Sequence, residues 1–182
     1  MIYSVELNFS DPEREDEWHA WYESYLAQLV SLPGLSTAQR FRAVRPGVQS
    51  WEYLALYSVA SLDVFTSQAY QHMGGGGHAS ARFRDAIRRR RNVYAGIEQF
   101  PAVTNAGRVL LSEDMSYGFD LANCLFLPLV SATGRRQAGA TELDGEPTQR
   151  AIAVIGTEDA NALNPNATEG LAIYAPITRR YV

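Results

Sequence analysis

Cysteine and histidine are scarce in this chain of 182 residues, with one Cys and three His. A single cysteine, Cys124, excludes an intramolecular disulfide and any multi-Cys metal site. Its setting, Cys124-Leu125-Phe126-Leu127, reads as a buried small hydrophobe rather than a nucleophile. An excess of cationic charge is also missing. The formal net charge is -4, which argues against nucleic-acid binding driven by charge. No apolar run approaches the roughly 20 residues that span a bilayer. The opening segment MIYSVELNFS carries no basic n-region of a signal peptide. The expectation is a cytoplasmic protein with no membrane association. A hydrophobic content of 46% is sufficient for a sizeable core.

The first hundred residues carry strong periodicities. Tyr3, Val5, Leu7 and Phe9 alternate with Ser4, Glu6 and Asn8, the pattern of a half-buried strand. Ser10 and Glu13 have capping-box spacing, and Asp11-Pro12 suits a first helical turn. A helix over 12–32 follows, with Trp18, Trp21, Tyr22, Tyr25, Leu26, Leu29 and Val30 on one stripe. Pro33-Gly34 ends it. A strand over 37–44 places Arg40 and Arg42 on one face. The next, Tyr53–Val59, is apolar almost throughout and reads as a central strand covered on both faces. Ser61 caps an expected second helix with Leu62, Phe65 and Ala69 buried. After the four glycines Gly74 to Gly77, a helix is expected over 79–91 and a fourth strand over 92–100. The order is βαββαβ, the ferredoxin-like unit.

The second half changes character. Apolar runs at 109–111, 124–130, 152–155 and 171–173 read as strands, separated by Gly-, Asn-, Thr- and Asp-rich segments. Two arrangements fit: a reduced second copy of the first unit, or a β-rich extension covering the first unit's sheet. The longest irregular stretches, 112–120 and 133–149, are where lids or partner contacts would sit. The division is therefore a ferredoxin-like unit over 1–101 and a β-rich half over 102–182.

Trp21-Tyr22-Glu-Ser-Tyr25, Pro33-Gly34, Arg40-Phe41 and Tyr53-Leu-Ala-Leu-Tyr57 together resemble the EthD-like branch of the dimeric α/β-barrel superfamily. The resemblance covers roughly the first 100 residues. It implies an α+β fold in which two ferredoxin-like sheets face each other, from two subunits or from two halves of one chain. It also implies a homodimer or an intrachain pseudo-dimer, with a ligand cavity inside the barrel or between a sheet and its helices. Members include cofactor-free monooxygenases, cyclases, isomerases and haem proteins, and a shared fold does not choose among them. Where relatives often carry His in W-Y-x-x-H, this sequence has Tyr25. A phenol does not titrate near neutrality as an imidazole does.

Candidate site residues follow. Glu6, the only acid of the first strand, is a candidate proton carrier; the alternatives are an ion pair with Arg40 or Arg42 on a neighbouring strand, or simple exposure to solvent. Tyr25 takes the family position on the helix and is otherwise a core tyrosine. His72 and His78 bracket the glycines, which would act as a hinge bringing an imidazole over a pocket; the alternative is an ordinary loop. Nothing in their spacing specifies haem ligation. Arg40, Tyr57 and Arg90 are candidate substrate contacts. Arg90 continues the stripe of Phe83, Ala86 and Ile87, so it turns inward to hold a carboxylate, from a ligand or from an acid such as Glu98. No Gly-Lys-Ser/Thr follows the glycines, so no nucleotide site is read. The expectation is a small-molecule enzyme that uses acid/base chemistry on an apolar or aromatic metabolite, without a cofactor or metal: an isomerase, cyclase or oxygenase. The competing expectation is a non-catalytic ligand-binding or assembly module.

Overall fold

A computed structural model describes residues 1–47, 51–113, 124–163 and 170–182. The chain begins with β1 (Ile2–Phe9), whose side chains alternate between two covered faces. One turn of 3-10 helix, Pro12–Arg14, leads into α1 (Glu15–Leu29). Asp11, rather than Ser10, supplies the cap: its carboxylate accepts the Glu13 N–H at 3.1 Å. Ser10 instead donates to the Ala86 carbonyl. Trp18, Tyr22, Leu26 and Leu29 form the buried stripe of α1, and Gly34 closes the turn at a φ of 85°. β2 (Leu35–Arg45) and β3 (Tyr53–Val59) follow, and every residue of β3 is buried.

The second helix is short and broken. Ser61 caps a 3-10 turn, Leu62–Thr66, and Ser67 caps α2 (Gln68–His72). The expected helix over 79–91 is corrected to a 3-10 turn, Ala81–Phe83, and the strand β4 (Ile87–Tyr94). The reason lies in the arginines. A helix would spread Arg88 to Arg91 around its circumference. A strand divides them into two pairs on opposite faces, and β1 offers a partner register along the whole of β4, with Glu6 opposite Arg90 and Val5 opposite Arg91. The fourth strand therefore begins earlier than 92 and stops at Tyr94, before Gly96 at a φ of 113°.

The four apolar runs of the second half form β5 (Gly107–Ser112), β6 (Leu125–Pro128), β9 (Gln149–Gly156) and β10 (Ala172–Pro176). Between β6 and β9 a small hairpin, β7 (Arg136–Ala138) and β8 (Thr141–Leu143), occupies much of the irregular stretch 133–149. The helix α3 (Thr157–Ala162) follows β9. Most of the stretch 112–120 lies outside the described residues.

The eight long strands form one sheet in the order β4-β1-β3-β2-β10-β5-β9-β6. Its first four strands, numbered by chain order within their half, run 4-1-3-2, and its last four run 4-1-3-2 again. The halves join edge to edge, β2 against β10, rather than face to face. The outer edges also meet: Tyr94 bridges Leu129, Val130 N–H donates to the Val93 carbonyl at 2.8 Å, and Ala95 N–H donates to Pro128 at 2.9 Å. One chain thus supplies all eight strands of a barrel-like sheet.

Side chains fill the inside. Ile2, Phe41, Leu54, Leu56, Val109, Leu111, Leu127, Ile152 and Tyr174 make an apolar interior. The connection after β4 inserts Phe100 and Val103 into it. That insertion is held by Gln39, which donates to the Val103 carbonyl at 2.7 Å and accepts its N–H at 3.1 Å. Glu6, Arg90 and Arg150 occupy the same interior. A second core lies outside the sheet, where α1, α2 and the β7–β8 hairpin cover Tyr3, Val5, Leu7, Tyr57 and Val93.

Candidate functional site

Between α1 and the outer face of β1, β3 and β4 lies a cavity of about 50 Å³. Strand alternation aims Tyr3, Val5 and Leu7 at it from β1, Tyr57 from β3, and Ile87, Arg89 and Arg91 from β4. The helix adds Trp21, Tyr22, Tyr25 and Leu29, at the three- and four-residue steps that place side chains on one face. Tyr70 and the segment Gly76–Ser80 complete the wall.

Six aromatic side chains contribute to this wall. Trp21 stacks on Tyr25 with centroids 5.2 Å apart, and Tyr3 lies 5.4 Å from Tyr57. The hydroxyls of Tyr22 and Tyr57 are hydrogen-bonded at 3.0 Å. Burial pushes the phenols of Tyr3, Tyr22, Tyr25 and Tyr57 above the ordinary tyrosine range. They stay protonated at neutral pH and act as hydrogen-bond donors rather than bases.

The glycines allow this wall to close. Gly76 sits at a φ of 71°, and a Cβ there would lie 1.5 Å from the Ala140 carbonyl oxygen of the β7–β8 turn. A Cβ on Gly77 would meet the Arg89 guanidinium at 2.4 Å. Tyr70 holds the loop at one end, accepting the Gly76 N–H at 3.3 Å and hydrogen-bonding Thr141 at 2.9 Å. The segment is thus pinned on both sides.

Two guanidiniums enter the cavity. Arg91 is 5% exposed, and its Nε has no hydrogen-bond partner. Arg89 reaches Ser80 Oγ and the Gly76 carbonyl, each at 3.5 Å. Burial, then the neighbouring Arg91, lowers the affinity of Arg89 for its proton. Among the described residues no carboxylate lies within ion-pair distance of either guanidinium and none lines the cavity, although Asp144 Oδ2 accepts the Arg91 backbone N–H at 2.8 Å.

The sequence candidates disperse. Tyr25 and Tyr57 line the cavity. Arg40 lies behind it: its guanidinium packs 4.0 Å from the Tyr22 ring and 4.5 Å from Trp18, and its Nη1 meets His19 Nδ1 at 3.1 Å. That contact requires the unprotonated nitrogen of His19, since arginine only donates. Burial, then Arg40, lowers the His19 pKa from its ordinary 6.5. His72 and His78 are exposed and line no part of this cavity.

Glu6 and Arg90 are brought together, but on the opposite face of the sheet, inside the barrel. Arg90 donates to both Glu6 oxygens, at 2.7 and 3.0 Å, and Arg150 donates to Glu6 Oε2 at 2.5 Å. Glu113 bridges the same two arginines, at 2.5 Å from Arg90 and 3.5 Å from Arg150. Arg90 does turn inward; its partners are Glu6 and Glu113 rather than Glu98, and Glu6 pairs with neither Arg40 nor Arg42.

Sequence reasoning passed over Arg89 and Arg91. The signal for them was the arginine run itself, read with a period of two: as a strand, alternate arginines face the helix and the barrel. Chemically the cavity offers phenol donors, two permanent cations and aromatic surface, with no carboxylate or imidazole among its lining residues. All 16 basic residues of the chain are arginines, so a lysine Schiff base has no residue to form it. Among the described residues no group of three or more His, Cys, Asp or Glu gathers, and no helix is long and apolar enough to cross a membrane.

No family model and no curated protein matches the sequence. Solved structures do match the fold. An anthrone oxidase-like protein superposes with a TM-score of 0.50 at 10% identity, over 98% of this chain and 92% of its own. A chlorite dismutase-like protein gives 0.50 at 11% identity, over 97% and 95%. A monooxygenase-like protein from Fusobacterium nucleatum gives 0.51 at 10% identity, over 99% and 94%. The fold shared with these structures is a dimeric-type α/β barrel, with all eight strands in one chain.

Proposed function

We propose that this protein is a cofactor-independent enzyme acting on a small aromatic metabolite between α1 and the sheet, where the cavity of about 50 Å³ widens by movement of the Gly76–Ser80 segment to admit a ring. The observation that carries the reading is the Tyr22–Tyr57 hydroxyl pair, 3.0 Å apart in the wall of an aromatic-lined cavity. Protonated phenols donate to a substrate carbonyl and stabilise the oxygen as it gains charge. With no base among the lining residues, the fitting substrates are those with an acidic C–H or O–H, which lose the proton to water. Isomerisation, cyclisation and oxygenation all proceed from such an anion. The fold likeness to an anthrone oxidase-like protein supports an oxygenase as the form to test first. There anthrone would lose a proton to give its enolate, the enolate and O2 would give anthraquinone and hydroxide, and the proton and hydroxide would leave as water.

The closing of the barrel within one chain, with the 4-1-3-2 order repeated, supports reading 1–101 and 102–182 as a ferredoxin-like unit and a reduced second one. We place the first unit nearest the EthD-like branch, on the Trp21-Tyr22-Glu-Ser-Tyr25 and Tyr53–Tyr57 motifs.

The test is oxygen uptake and quinone absorbance with anthrone and purified, metal-free protein. Acceleration over buffer that drops in Tyr57→Phe supports the enzyme. Its absence across anthrone and other enolisable hydroxyaromatics leaves the second reading, a non-catalytic binding module. That reading is favoured by one specific observation, the lack of any carboxylate or imidazole in the cavity wall.

A further inference from the structure

Arg89 and Arg91 stand two residues apart on one face of β4, so their Cα atoms are about 7 Å apart. Both side chains enter the aromatic cavity. Neither guanidinium has an acidic partner within ion-pair distance among the described residues. Arg90 and Arg150, by contrast, share two glutamates; Arg40 also lacks a carboxylate and leaves Nε and Nη2 unpartnered, but it is packed against aromatic faces and His19 rather than lining this cavity. Two like charges in a mainly apolar wall, with Asp144 bonded to the Arg91 backbone and to Arg135 rather than to the Arg89 or Arg91 guanidinium, destabilise the protein. Such an arrangement is accounted for when a ligand brings the missing charge.

The hydrogen bonds that Arg89 does make are exchangeable. Both are 3.5 Å long, at the outer limit for such bonds, and both go to neutral oxygens, Ser80 Oγ and the Gly76 carbonyl. A charged oxygen accepts more strongly than either. Arg91 has its Nε unused. We propose that the cavity is an organic-anion site: it takes a small aromatic compound whose oxyanion is held jointly by Arg89 and Arg91, with the ring against Trp21 and Tyr25. The cavity as it stands, about 50 Å³, is too small for an aromatic ring, so in taking the anion Arg89 lets go of the Gly76–Ser80 segment and that segment moves outward to make room. This rests on the reading of the cavity as an aromatic-ligand site and adds the charge of the ligand.

The experiment is calorimetric titration of the purified chain with 2-naphthoate and with 2-naphthamide, which matches it in shape and lacks the charge. The expected result is at least a 10-fold preference for naphthoate. That preference should collapse to within about 3-fold in Arg91→Gln and, independently, in the less buried Arg89→Gln, with thermal unfolding confirming that each variant is folded. Equal binding of acid and amide overturns the anion inference and leaves the aromatic site standing. Naphthoate preference unchanged in both variants also overturns it, because the anion then sits elsewhere. Binding of neither compound overturns the aromatic site and the anion inference together.

Discussion

Replacing Glu6 by Gln should destabilise the protein severely while leaving the outer cavity intact. Glu6 is 3% exposed and accepts from two guanidiniums, Arg90 and Arg150, the latter also 3% exposed. The amide keeps the volume and one acceptor oxygen but removes the charge. Two buried arginines are then left to share Glu113, which is 35% exposed in its side chain and lies 3.5 Å from Arg150. Removing one partner from a buried ion pair costs about 3–5 kcal/mol, mainly because the remaining charge is left uncompensated. For a chain of this size that corresponds to a fall in Tm of roughly 6–20 °C. Urea unfolding of wild type, Glu6→Gln, Arg150→Met and the double variant measures it. The double variant should recover part of the loss, since an apolar replacement of both partners avoids the stranded charge. A Glu6→Gln midpoint that corresponds to less than about 0.5 kcal/mol would refute the reasoning, because it would mean water or Glu113 compensates both arginines. The same variant, assayed below its transition, should bind aromatic ligands as wild type does, because Glu6 and the cavity lie on opposite faces of β1.

Three more outcomes are expected. Gly76→Ala should destabilise by more than about 1 kcal/mol in thermal unfolding, since a φ of 71° and a Cβ at 1.5 Å from Ala140 O both oppose a side chain. Stability should fall with acid through His19: its folded pKa lies below 6.5, so its contribution is complete above 6.5 and is lost as the pH drops through the folded value. His19→Gln should flatten that part of the Tm–pH curve. Asp11→Ala, which removes the cap that accepts the Glu13 N–H, should lower the urea midpoint.

The readings that held from sequence were those with a clear period and no competing charge. β1, α1 and β3 follow from alternation, a three-and-four stripe, and an apolar run. The reading that failed was at 79–91, where Phe83, Ala86 and Ile87 have helical spacing and four consecutive arginines have none. The pairing partner decided the outcome there, since β1 offers Glu6 to Arg90 from 84 positions away. The error carried into the site. With the arginines placed on a helix, the pair that faces α1 could not be separated from the pair that faces the barrel. Likewise, the helical stripe located Tyr22 and Tyr25 but not the partner of Tyr22, the Tyr57 hydroxyl 35 positions later.

Local patterning thus determined the element types of the first half up to the glycines, the strand content of the second half, and the residues able to line an aromatic cavity, because hydrophobic period and turn chemistry are short-range properties. Tertiary structure alone decided three things. It joined the halves edge to edge into one barrel, set a four-charge cluster drawn from β1, β4, Glu113 and β9 inside it, and left the Arg89 and Arg91 guanidiniums on the outer face without an ion-pair partner among the described residues. Each depends on which distant strand pairs with which, and a burial or a charge balance exists only once those pairings are made.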